Sequence, residues 1–423
     1  MAAKPSIRAG TRSFAISQAL RIIGAFAIAT FVARQLGADG KGSLALLQQT
    51  PSIMALVMGF GFGGVNVYYV GSGRKSAAEA LSDSLLLSAV GALVGVPLSF
   101  AIMRSIPALS TFPPLLVLAS SLIVPVSVLT SQVAGILVGS GRPERQARAQ
   151  SIGMALNVAV VAVLYLRVQL SISAAIAASL SAAALSLVLM LAAVRERPAF
   201  EGWRGRLADA APYARKRYFT EVAAMLEMRV DIVMLGVLAT AAATGVYSVA
   251  VSVVELLWFI PRAAETPLLS RFLHERPAVG ADLVAITVRL SVLLEIVMLA
   301  GAALLLRPTV EFVFGPAFVG APALFWILAP GIVVNGLTGP VASYLTSQGH
   351  QFPGLAAVSV AANIVLNASL IPIMGAAGAA LASSLTYGLG GVWLFWKFID
   401  LSGCRPSALF VPRVSDLRAV LGR

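Results

Sequence analysis

Apolar stretches recur along this chain with short polar breaks between them, each about the length that crosses a roughly 30 Å hydrocarbon core as a helix. Twelve stand out, at 13–33, 44–70, 82–104, 113–138, 151–167, 172–194, 218–239, 245–270, 284–306, 321–347, 355–373 and 377–397. The breaks are polar or rich in Gly and Pro, as in "GADGKG", "GSGRKSAAE", "GSGRPERQ" and "SQGHQFPG". Prolines inside the stretches (Pro51, Pro97, Pro125, Pro261, Pro330 and Pro340) predict kinks, which bundles tolerate because neighbouring helices take up the freed backbone groups. The stretch from Phe14 to Val32 is long enough to span and contains Arg21, so it reads as a retained first helix rather than a cleaved leader.

Composition agrees with the pattern. Of 423 residues 58% are hydrophobic and 12% charged, against about 25% charged in a soluble domain. The fold class is therefore an all-α integral membrane protein with about twelve transmembrane helices. Net charge is +13, which in this setting points to cytoplasmic loops and anionic lipid and not to nucleic acid. With the N-terminus cytoplasmic, 22 Lys and Arg fall on the inner side, 5 on the outer side and 4 inside spans, a strong positive-inside asymmetry. Both termini are accordingly expected in the cytoplasm. Cys404 is the lone cysteine, so an intrachain disulfide is ruled out. His274 and His350 lie far apart in polar connections.

The halves resemble each other. "LVGSGRPERQARAQSIGMALNVAVV" from Leu137 is similar to "LTSQGHQFPGLAAVSVAANIVLNASLI" from Leu345, and "IAASLS" at Ile176 to "LASSLT" at Leu381. The offsets, 208 and 205 residues, nearly agree, which predicts two six-helix bundles related as parallel repeats. The expected division is a first bundle over 1–198, a cytoplasmic interfacial linker over 199–217, a second bundle over 218–398 and a basic tail over 399–423. The linker interleaves Trp203, Leu207 and Tyr213 with basic residues, and the tail places Val414, Leu417 and Leu421 on one helical stripe; both suit a helix lying in the membrane surface. The chain carries no P-loop, catalytic triad or metal-ligand spacing, so it is not expected to be an enzyme.

Charges inside the spans are the candidate chemistry, since each costs about 2.5–3.5 kcal/mol at a helix centre unless it meets water, a partner or a ligand. In "MLEMRVDIVMLGVL" Glu227 lies about 15 Å into its span, near the midplane. Glu227 and Asp231 share a face, and Arg229 points about 200° away from them. Arg21 lies about a third of the way in from the inner side. Acids are lacking within spans 1, 2, 4, 5 and 6, and Asp83 sits at an end of span 3. Arg21 then reads either as a phosphate-binding group, whose fork matches phosphate oxygens, or as a side chain that snorkels or bonds helix carbonyls. Arg229 and Arg262 are anion contacts, or else ion-pair partners of Glu255, Glu265 or Glu295. Asp231, Glu227, Glu255 and Glu295 are cation-coupling candidates. Asn363, Asn367 and Thr386 would complete an all-oxygen site with Asp231, or simply bond between helices.

Three segments carry a family resemblance: "VARQLGADGKGSLAL" after span 1, "RVDIVMLGVLATAAATGVYSVAVSVVELLWFIP" across spans 7 and 8, and "FGPAFVGAPALFWILAPGIV" into span 10. They resemble the polysaccharide-biosynthesis branch (Wzx-type oligosaccharide flippases) of the multidrug/oligosaccharidyl-lipid/polysaccharide (MOP) exporter superfamily. That resemblance implies a V-shaped, MATE-like pair of bundles in the bacterial inner membrane. It implies alternating access, with a polyprenyl-diphosphate-linked glycan moved from the cytoplasmic to the outer leaflet. Arg21, Arg229 and Arg262 fit the cationic cavity such a carrier uses for the diphosphate. Na⁺ or H⁺ is the implied coupling ion, with no other cofactor. The implied partners are the lipid-linked glycan, membrane lipids and other polysaccharide-assembly proteins. Twelve spans argue against the lipid II branch, which typically has fourteen. A multidrug/cation antiporter of the same superfamily is the alternative, and the absence of an interior acid in the first bundle counts against it.

Overall fold

The computed structural model describes residues 7–167, 169–258, 272, 277–350 and 352–411. Arg262, Glu265, His274 and the tail stripe Val414, Leu417 and Leu421 lie outside these residues. The described chain is helical. Ten helices come first: α1 (Ile7–Met58), α2 (Phe62–Gly71), α3 (Ala77–Val90), α4 (Val96–Ser105), α5 (Pro114–Ser121), α6 (Ile123–Gly139), α7 (Pro143–Arg167), α8 (Ile172–Val194), α9 (Trp203–Leu238) and α10 (Ala241–Val254). Then follow α11 (Pro277–Phe314), α12 (Ala321–Ser347), α13 (Pro353–Met374), α14 (Ala376–Ser402) and the short α15 (Pro406–Phe410).

Each expected apolar stretch coincides with helix, the eighth as far as Trp258. Nine helices among the described residues are long and apolar enough to cross a membrane; one of them, Leu20–Met58, carries most of the first stretch and the start of the second, which turns at 59–61 and continues in α2. The stretches at 218–239 and 377–397 are helical in α9 and α14 without reaching that apolarity. Outward-facing apolar residues support the membrane reading: Leu93, Leu304, Phe312 and Ile373 are each 78–79% exposed, an arrangement stable only against lipid.

Two local features were not expected. An unbroken α1 of 52 residues would run about 78 Å, far more than one crossing. Gly37 breaks it, at φ 64 and ψ −168, a conformation open in practice only to glycine. Between α3 and α4 the chain passes through one π turn, Gly91–Gly95, so the third span is continuous but locally widened. Of its two glycines, Gly91 faces Met58 and Val128 at ordinary contact distance, whereas a Cβ on Gly95 would collide with Met58 of α1 and Val124 of α6.

The chain forms two compact units, Met1–Gly245 and Val246–Arg423. The expected linker at 199–217 is not a separate element: α9 starts at Trp203 and continues through Pro212 to Leu238, so linker and seventh span are one helix. This helix packs within the first unit. Gly236 lies against Leu46 near its end, and Gly61 lies against Ala214 and Tyr218 near its start.

Contact registers give the relative direction of several helices. In the first unit Arg21 meets Gln150, Gly24 meets Met154 and Phe31 meets Tyr165, so the first arm of α1 and α7 run parallel. Against α8, α7 runs antiparallel, through Arg145 to the Ala193 carbonyl and Gly153 to Ser186. In the second unit α12 and α14 run parallel, through Gly331 to Ser384 and Val334 to Gly391. There α13 and α14 run antiparallel, through Ser359 to Gly390 and Asn363 to Thr386. First and fifth crossings agree, as do tenth and twelfth, as an alternating bundle requires.

The sequence repeat has a counterpart in packing. The α7–α8 crossing sets Gly153 on Ser186, and the α13–α14 crossing sets Ser359 on Gly390. These positions are 206 and 204 residues apart, close to the sequence offsets, with glycine and serine exchanged. A small residue on one helix lets the partner approach, which is how membrane helices gain packing without a hydrophobic driving force.

Candidate functional site

Of the sequence candidates in the first unit, Arg21 sits half-buried on α1, and its Nη1 donates to Oε1 of Gln150 on α7 at 2.5 Å. The partner is a neutral amide, so the bond orients the guanidinium without neutralising it. On α9, Glu227 and Arg229 are half-buried, while Asp231 is 2% exposed on the face that also buries Ile232 and Leu235. Asp231 Oδ1 accepts from the Ile232 backbone N–H at 2.7 Å.

In the second unit three candidates meet. Asn363 Nδ2 donates to Thr386 Oγ1 at 3.1 Å, and Asn367 Nδ2 donates to Asn363 Oδ1 at 2.9 Å. All three are at most 3% exposed. The Thr386 hydroxyl donates onward to the Ala382 or Ser383 carbonyl. Asn367 Oδ1 is left buried with no donor, an acceptor held open at the end of a satisfied chain. The interhelical hydrogen bonding expected of the asparagines is therefore present, and it leaves one oxygen over for a cation or water.

Glu295 on α11 stands apart from that trio. It is 1% exposed, and neither carboxyl oxygen has a hydrogen-bond donor. Its neighbours are Gly336 on α12 and the Trp258 indole, whose Nε1–H is already given to the Ile332 carbonyl at 2.7 Å. A Cβ on Gly336 would lie 3.1 Å from Glu295 Oε1, so the glycine makes the space the carboxyl occupies. Glu255 is half-buried, and Arg262 lies outside the described residues.

Sequence reasoning missed two clusters in the first unit. The first is ionic. Asp83, fully buried, takes Lys75 Nζ at 2.8 Å on Oδ2 and Arg206 Nη2 at 2.9 Å on Oδ1. Arg206 also donates to Ser82 Oγ and to the Ala199 carbonyl, each at 3.0 Å. Lys75 is 5% exposed and lies near the Tyr69 and Phe62 rings. These contacts tie the start of α9 to α3. Lys75 looked like a loop cation and Asp83 like a span end; the missing clue was that an acid at the edge of an apolar run needs cations of its own.

The second cluster is a cleft of about 450 Å³ between α2 and α9, lined by Gly64, Tyr68, Ser72, Tyr213 and Arg217. Tyr68 and Tyr213 stack at 4.9 Å, and the Arg74 guanidinium lies 5.2 Å from the Tyr68 ring centre. Arg217 Nη2 pairs with Glu221 Oε1 at 2.8 Å.

Helices of this order and packing define a fold that recurs in solved membrane transporters. A solved structure described as lipid II flippase MurJ in an inward closed conformation is similar over 92% of this chain and 89% of that chain, at TM-score 0.78 and 14% identity. An inward-facing multidrug resistance MATE family transporter of the MOP superfamily is similar over 90% of this chain and 96% of that chain, at TM-score 0.68 and 15% identity. Sequence narrows the class: the model of the polysaccharide biosynthesis protein family matches residues 31–323, and the chain belongs to that family. No curated protein matches it.

Proposed function

We propose that this chain is a transporter that moves a polyprenyl-diphosphate-linked oligosaccharide from the inner to the outer leaflet of the bacterial plasma membrane by alternating access. The observation that carries the reading is family membership across 31–323 on an exporter fold. A diphosphate-linked glycan bears about two negative charges and many hydroxyls, so it crosses hydrocarbon only inside a polar path, while its lipid tail stays in the bilayer. Arg21 suits the diphosphate, because its guanidinium is oriented by a neutral amide and keeps its charge for a ligand. Arg229 and Arg262 are assigned the same role from sequence position.

Coupling to Na⁺ or H⁺ is assigned to the acids and amides. Asn363, Asn367 and Thr386, with the open Asn367 Oδ1, offer oxygen ligands to a cation within the second unit, and Asp231, buried on α9 of the first unit, is a coupling acid in its own right. Glu295, Glu227 and Glu255 are further coupling candidates, each considered within its own unit. For the antiporter reading, Asp83 is no candidate to meet an organic cation, since two cations of the chain already hold it.

The test is made in cells lacking the gene. Complete lipid-linked repeats should accumulate on the inner leaflet and be cleared by the wild-type chain. Normal leaflet distribution, with altered drug sensitivity instead, would overturn the flippase in favour of the antiporter.

A further inference from the structure

The cleft between α2 and α9 is lined by none of the acids and amides assigned to coupling, and it has a composition of its own. Its wall is the Tyr68–Tyr213 stack, with rings inclined by 21°, and Tyr68 is 40% exposed. Its floor is Gly64. A Cβ there would lie 2.0 Å from Arg217 Nε, so the arginine lies directly across the glycine backbone. Arg217, which lines it and is still 46% exposed, is paired with Glu221, so a base and an acid stand side by side at the cleft's arginine. Ser72 adds a hydroxyl. The volume falls within the roughly 300–1,000 Å³ typical of small-molecule sites.

Which ligand fits this mixture? A phosphate needs uncompensated cations in the lining, and here the lining arginine, Arg217, is already bonded to a carboxylate, which would also repel an anion, while Arg74 stands outside the lining with its guanidinium on the Tyr68 ring. A purely apolar ligand would leave the ion pair and hydroxyls unsatisfied. A pyranose meets both demands. One face presents C–H groups of partial positive charge, which sit on the negative face of an aromatic ring. Its edge presents hydroxyls that both donate and accept, matching a guanidinium and a carboxylate held next to each other. The site lies beside the basic run Arg215–Lys216–Arg217, which sequence places at the cytoplasmic membrane surface.

We infer that the α2–α9 cleft is a sugar-binding subsite that docks one pyranose unit of the glycan before transport. The inference rests on the glycan-transport reading for its biological ligand, but the site's chemistry can be tested without it. The full chain is placed in phosphatidylcholine nanodiscs free of sugar detergents. A panel of free hexoses and N-acetylhexosamines is followed by saturation-transfer NMR. At least one sugar is expected to receive saturation on the protons of its C–H face. Tyr68→Ala should weaken that binding by at least about fivefold, the scale of one aromatic contact, while Tyr68→Phe preserves it. Gly64→Ala, which drives Arg217 out of the cleft, should weaken it as well. Absence of transfer from every sugar, or transfer unchanged in Tyr68→Ala with Gly64→Ala, overturns the subsite; displacement of the sugar by inorganic pyrophosphate overturns it in favour of a phosphate site. The two ideas fail separately. Sugar binding with no leaflet defect in deleted cells leaves the subsite standing and the flippase wrong; a leaflet defect with no sugar binding does the reverse.

Discussion

Lys75 Nζ stands 2.8 Å from Asp83 Oδ2, with both side chains at most 3% exposed, and Arg206 closes on the other carboxyl oxygen. Two cations on one buried acid leave nothing to spare. Asp83→Asn keeps the shape and strands both cations, so it should destabilise the chain by about 3–5 kcal/mol, the cost of breaking a buried pair. Thermal unfolding in nanodiscs measures the loss, and protease cleavage near Trp203 should rise with it. An unchanged midpoint would mean the cluster contributes nothing to stability.

Glu295 carries the opposite expectation. A buried carboxyl with no donor is costly, so Glu295→Met should leave the fold as stable or make it more so. Transport should lose its dependence on the coupling ion in the same variant. If Glu295→Met instead unfolds the chain, the carboxyl is structural and the coupling role falls.

At Arg21 the two sequence readings separate cleanly. Arg21→Ala should abolish clearance of inner-leaflet glycan at normal protein levels, whereas Gln150→Ala, which removes only the orienting acceptor, should reduce it partially. Full activity of Arg21→Ala would reduce the residue to a packing role.

Gly37 offers a test of backbone strain alone, since a Cβ there would touch nothing within 4 Å. Gly37→Ala should still cost about 1–3 kcal/mol, because the conformation at φ 64 and ψ −168 resists any side chain. A melting temperature equal to wild type would show that the break between the two arms relaxes freely.

In the second unit, Asn367→Ala removes the open acceptor and the donor to Asn363 together. Na⁺-dependent protection against thermal unfolding should disappear in it. Protection that persists undiminished would place the ion elsewhere.

The helices were legible in the sequence because hydropathy over twenty residues is a large summed signal. Punctuation was harder to read. Gly37 looks like any loop glycine in "QLGADGKG", yet helix runs up to it and away from it. The charge-rich start of α9 looked like a surface helix separate from the seventh span, because hydropathy changes at Tyr218 although the backbone does not. The amides Asn363 and Asn367 were found because their spacing of four puts them on one face. Asp83 was discounted because its two cations come from eight residues before and 123 residues after it, distances no local pattern reports.

The continuity of α9 has a mechanical consequence. At 1.5 Å per residue its 36 residues form a strut of about 54 Å, anchored through Arg206 at one end and packed through Gly236 at the other. The carboxyl of Asp83 thus holds one end of a strut whose far half carries Glu227, Arg229 and Asp231. Whatever tilts that half must either carry the anchor with it or work against it, so a single buried acid at one end helps set how freely the charged turns at the other end can move.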